Sequence, residues 1–135
     1  MKILIVDDDP EITTLLSLIM KHVGYDSVEC NDATQAYEMC AREMPDCILL
    51  DLMMPGIDGW KLLEIFKSSN GLRDIPIVVL TGHVNADREP LMRQGVKGFL
   101  VKPFDPHVLI KLIDRLLAEA EADAGAQSQE AEATF

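Results

Sequence analysis

The sequence predicts an α/β fold, a doubly wound five-stranded parallel sheet with helices on both faces. Four runs of strand length, Ile3–Val6, Cys47–Leu50, Ile75–Leu80 and Gly98–Val101, are almost continuously apolar, as strands covered on both faces must be. Between them lie longer segments whose apolar residues recur at three- and four-residue steps, the helical period, and the connections are short. With 48% of its 135 residues apolar, the chain can build one ordinary core and is too short for two.

Each element can be justified in order. Ile3–Val6 is the first strand and runs into Asp7, Asp8 and Asp9. Asp9 followed by Pro10 is a sound helix start, an N-cap acceptor before a residue whose missing N–H would be unpaired anyway. The stripe Ile12, Leu15, Leu16, Ile19 and Val23 continues that helix, and Gly24 closes it. Asp26–Cys30 is shorter on apolar residues and suits an edge strand. Asp32 with Gln35 resembles a capping box for a helix through about Ala41. Cys47–Leu50 is a buried strand, and Asp58 can cap a helix carrying Trp60, Leu63 and Phe66.

Ile75–Leu80 follows as the fourth strand. Pro90 interrupts the segment Asn85 to Gln94, so a short, late-starting or irregular helix is expected there. After Gly98–Val101 the Asp-Pro start returns at Asp105-Pro106, before Val108, Leu109, Leu112, Ile113 and Leu116. The domain should span 1–121. From 122 to 135 the chain is Ala, Glu, Gln, Asp and Ser with too little apolar surface to offset ordering, so an acidic, disordered tail is expected.

Composition narrows the function. The net charge is -11 and the twelve Lys and Arg are scattered, which argues against direct nucleic-acid binding. Cys30, Cys40 and Cys47 have no disulfide or zinc spacing and read as small buried hydrophobes in a reducing cytosol. One Lys and four apolar residues before three aspartates make neither a signal peptide nor a membrane span, so a soluble, cytoplasmic protein is expected.

In open α/β sheets, ligands bind at the carboxyl ends of the strands. Here those ends carry Asp7 and Asp8, then Asp51, Thr81, and Lys102-Pro103. Singly, each has an ordinary explanation as a loop starter, cap or solvated charge. Jointly, three carboxylates and an ammonium at one edge call for a cation. Mg²⁺ suits them, since it takes hard oxygen ligands and keeps several waters.

The V-D-D at 6–8, the D-L-M-M-P-G-x-D-G block from Asp51 to Gly59, the L-T-G at 80–82 and the F-L-V-K-P-F at 99–104 closely resemble the receiver domain of two-component response regulators. The likeness spans roughly Lys2 to Leu117 and is to a stand-alone, chemotaxis-regulator-like receiver. It implies the flavodoxin-like strand order 2-1-3-4-5. It implies that Asp51 is the phosphoacceptor, and that Asp8, Asp51 and the Met53 backbone carbonyl bind Mg²⁺ while Asp7 acts mainly through a bound water. Thr81 and the aromatic Phe99 would be the switch pair, Lys102 would neutralise charge, and the bond before Pro103 would be cis. Met53 and His83 occupy positions that tune phosphoryl lifetime in the family. A sensor histidine kinase or histidine phosphotransfer protein would be the donor and a downstream protein the target. The chain would be a monomer or a weak phosphorylation-dependent dimer and would catalyse only its own phosphorylation and dephosphorylation.

Some positions depart from the usual pattern. Phe99 lacks the hydroxyl of the tyrosine common there, and Pro90 perturbs the first element of the family's usual interaction surface. Competing readings fit less well. A flavodoxin-like mononucleotide binder would offer phosphate donors after the first strand, where this chain has aspartates. An aspartate-nucleophile phosphatase would want an acid two residues after Asp51, where Met53 stands. A docking module independent of phosphorylation would not need every acidic, hydroxyl and lysine position filled.

Overall fold

The computed structural model describes residues 1–82 and 88–133, with side chains at 1–82 and 89–123. Its elements are β1 (Lys2–Val6), α1 (Pro10–His22), β2 (Asp26–Cys30), α2 (Ala36–Glu43), β3 (Cys47–Leu50), α3 (Gly59–Ser68), β4 (Ile77–Thr81), α4 (Arg88–Arg93), β5 (Gly98–Val101) and α5 (Pro106–Ala133). All strand pairs are parallel and the order is β2-β1-β3-β4-β5, the doubly wound flavodoxin-like arrangement. Asp26–Cys30 is indeed the edge strand beside β1.

The two-residue period of a strand sorts the sheet's side chains between two apolar layers. Leu4, Val6, Ile48, Leu50, Ile77 and Val79 enter one layer, closed by Ala36 and Cys40 of α2, Leu62, Leu63 and Phe66 of α3, and Leu91 of α4. Their neighbours Ile3, Ile5, Cys47, Leu49, Val78 and Leu80 enter the other, closed by Leu16 and Met20 of α1 and Leu109, Ile113, Leu116 and Leu117 of α5. Because both faces are covered, β1, β3 and β4 show no polar alternation. β2, at the edge, does.

Helix starts follow their caps. The side chains of Asp9, Asp58 and Asp105 accept from the backbone N–H of Glu11, Trp60 and His107, at 2.9, 3.0 and 2.9 Å. Asp32 caps instead a single 3-10 turn at Ala33–Gln35 that leads into α2, accepting from Thr34 N–H at 3.0 Å, and Gln35 makes no side-chain cap of its own. The expected capping box is therefore half formed. The described part of α4 is Arg88–Arg93, with Pro90 near its start.

The backbone of α5 continues as helix to Ala133, past the last residues that pack on the sheet. Ala, Glu and Gln are good helix formers, and a helix already nucleated from Pro106 extends through them without needing an apolar face. Among the described residues, no helix is long and apolar enough to cross a membrane.

Candidate functional site

The carboxyl edge of the sheet gathers residues from β1, β3, β4 and the segment after β5. The three consecutive aspartates after β1 divide in role. Asp7 is buried, while Asp8 and Asp9 are exposed, and Asp9 is turned away to cap α1. Asp51, directly after the central strand β3, is 6% exposed. Ligand oxygens of Asp7, Asp8 and Asp51 all lie within 4.8 Å of one another.

Lys102 closes the group from the other side. Its Nζ donates to Asp7 Oδ2 at 2.6 Å and to Asp51 Oδ2 at 3.2 Å. Of the two, Asp7 is the nearer partner. Asp7 Oδ1 accepts from the Asp9 N–H at 2.9 Å, so both oxygens of Asp7 are engaged by the protein. Asp51 Oδ1 accepts from the Met53 N–H at 2.9 Å. The Met53 side chain itself is exposed at the rim of the site.

The electrostatics follow from burial. Burial raises the Asp51 carboxyl above its ordinary value, and the charge of Asp7 adds to this; the Met53 N–H and the Lys102 ammonium oppose it without cancelling it. Burial alone would lower Lys102, but its hydrogen bond to Asp7 and the charges of Asp51 and Asp7 outweigh that and hold the ammonium above its ordinary range. Three acids against one base leave the pocket with excess negative charge, and the donor set is hard oxygen throughout. Those features fit Mg²⁺.

Thr81 ends β4 and is fully buried, and its carbonyl accepts from the Lys102 N–H at 2.8 Å. Phe99, paired with Val79 across β4 and β5, is partly buried against the layer formed with α2, α3 and α4. The Lys102-Pro103 peptide bond is cis. His83 lies outside the described residues. Sequence reasoning missed Asn31, whose side-chain amide donates to the Asp7 carbonyl, and Thr13, whose hydroxyl accepts from the same amide. No spacing marks them, because the contact depends on where β2 stops relative to β1.

An open parallel sheet with an acidic, lysine-backed pocket at its carboxyl edge defines a class of α/β signalling domains. A family model of the response regulator receiver domain matches residues 3–114, and the chain belongs to that family. Receiver domains are the switches of two-component signal transduction and bind Mg²⁺ at an acidic pocket. Among curated relatives, the DNA-binding response regulator MtrA of Mycolicibacterium smegmatis is 31% identical over 121 residues, covering 89% of this chain and 52% of that protein. The probable transcriptional regulator ycf27 of Guillardia theta is 37% identical over 110 residues, covering 80% and 42%. The chain thus spans about half the length of the curated relatives it matches. Among solved structures, the BeF3-activated N-terminal receiver domain of Klebsiella pneumoniae RstA aligns with a TM-score of 0.79 at 32% identity, covering 87% of this chain and 98% of that one. The chemotaxis protein CheY4 of Vibrio cholerae aligns with a TM-score of 0.78 at 28% identity, covering 85% and 97%.

Proposed function

We propose that this chain accepts a phosphoryl group on Asp51 from a histidine kinase or a histidine phosphotransfer protein, in a Mg²⁺-dependent reaction, and so shifts between two conformations that a downstream protein distinguishes. The observation that carries this is the posture of Asp51, a buried carboxylate with Oδ1 held by the Met53 N–H and Oδ2 beside the Lys102 ammonium. An Asp51 oxygen forms the new O–P bond as the P–N bond of the phosphohistidine breaks. Asp51 attacks as its carboxylate, so no general base is needed. Lys102 offsets charge on the transferring oxygens, and the held Oδ1 fixes the direction from which attack occurs.

Mg²⁺, held by Asp8, Asp51 and the Met53 carbonyl, would supply further charge neutralisation on the transferring oxygens. Both oxygens of Asp7 already accept hydrogen bonds, which favours an indirect role for it through water. Phosphorylation adds about 1.5 to 2 negative charges. Moving a switch from mostly off to mostly on takes roughly 5 kcal/mol of differential binding, which contacts of Thr81 and Lys102 with the phosphoryl group would supply. Phe99, on the strand beside Thr81, would carry the change outward. Met53 and His83 would tune the lifetime of the phosphoryl group. This reading implies a cytoplasmic chain that works as a monomer or a weak dimer formed on phosphorylation.

The test is the intact mass after incubation with acetyl phosphate. One phosphoryl group should be gained with Mg²⁺, none without it, and none by Asp51→Asn. A gain by Asp51→Asn equal to wild type would refute the assignment.

A further inference from the structure

We propose that Asn31 and Thr13 are positioning residues that set the peptide unit joining Asp7 to Asp8, and through it the affinity of the acidic pocket for Mg²⁺. The inference rests on the metal-binding role proposed above. The pairing of β1 with β2 ends where Asp7 N–H donates to the Cys30 carbonyl at 3.1 Å. In a continuing parallel pair the next backbone N–H of β2 would serve the Asp7 carbonyl. Instead β2 stops at Cys30, and Asn31 Nδ2 donates to the Asp7 carbonyl at 2.9 Å.

The same nitrogen donates its second hydrogen to Thr13 Oγ1, also at 2.9 Å. A carbonyl can only accept, so the amide nitrogen must face Asp7. The Thr13 hydroxyl in turn donates to the Pro10 carbonyl at 3.2 Å. Thr13 is fully buried and every donor in this chain is used, which gives it one direction from the β2 end to the first turn of α1.

The mechanical consequence comes from peptide planarity. The Asp7 carbonyl and the Asp8 N–H belong to one rigid plane, so fixing the carbonyl fixes the vector along which the Asp8 Cα, and hence its carboxylate, leaves β1. Asp7 needs no such help for its side chain, which Lys102 and the Asp9 N–H already hold. Asp8 is exposed. Its position is therefore inherited from the backbone that Asn31 clamps. Outer groups that orient metal ligands are worth 10- to 100-fold in affinity.

The experiment is a calorimetric Mg²⁺ titration of the chelator-treated protein, in wild type, Asn31→Ala, Thr13→Val and the double variant, with thermal melts recorded in chelator. Ser27→Ala serves as a control. It removes the 2.6 Å Ser17–Ser27 contact of the same helix–strand interface without touching the Asp7 backbone. Expected is affinity about 10-fold weaker in Asn31→Ala, a loss in the same direction in Thr13→Val, and a double variant no weaker than the worse single one. Ser27→Ala should bind as wild type does. Wild-type affinity in Asn31→Ala, with or without a lowered melting temperature, would overturn the inference and leave the receiver reading standing; so would losses that add across the two sites. Wild type failing to bind Mg²⁺ would overturn both.

Discussion

At the scale of single residues, the pocket is poised by opposing charges in little solvent. A carboxyl whose pKa is higher folded than unfolded stabilises the fold below the ordinary aspartate range and loses that contribution as pH rises through the raised value. Asp51 is such a group. Without Mg²⁺ at neutral pH its ionised form therefore weighs against the fold, and Asp51→Asn should melt higher than wild type. Thermal melts in chelator should show that gap closing as pH falls below about 4, where the unfolded carboxyl also protonates. Lys102→Ala should leave Mg²⁺ binding in place, since the carboxylates remain, but uncouple phosphorylation from the conformational change; Trp60 fluorescence on phosphorylation would then stay flat. Asp7, Asp8, Asp51, Thr81 and Lys102 were legible in the sequence because each stands where an apolar strand stops. Asn31 was not, because its partner is a backbone carbonyl 24 positions away and backbone carbonyls leave no mark in a sequence.

At the scale of elements, the seating of α3 behind the nucleophile depends on one missing side chain. A Cβ at Gly59 would lie 2.5 Å from the Leu52 Cα and 2.5 Å from its carbonyl oxygen, both backbone atoms. Gly59→Ala must therefore push α3 away from the residue that follows Asp51. Urea denaturation should register a loss of about 1–3 kcal/mol, the range of overpacking, and phosphorylation from acetyl phosphate should slow. The strands were legible almost to the residue, since a strand buried on both faces is an unbroken apolar run. Pro90 stands near the start of the described part of α4, Arg88–Arg93. The helical backbone of α5 runs on to Ala133, because helix propensity continues a helix that packing has already started.

At the scale of the whole molecule, two apolar layers enclose all three cysteines. Burial raises each thiol, Cys40 to about 11 and Cys47 to about 12, and Cys30 in the same direction. None should react with a disulfide reagent at neutral pH until the chain opens, so the labelling rate should follow global unfolding and slow when Mg²⁺ is added. Labelling of folded protein at the rate of a free thiol would contradict that burial. The strand order puts Asp51 directly after the middle strand, with Asp7 directly after β1 on one side and Thr81 at the end of β4 on the other. Central strands are the last to lose amide protection, whereas edges and short helices exchange early. Phosphorylation of Asp51, as proposed above, would therefore strike beside the best-protected strand of the molecule. The reply would then come from its yielding margin, where β5 is the edge strand opposite β2 and α4 is a helix of six residues. A hammer falls on the anvil, and the sound is carried by the thin plate beside it.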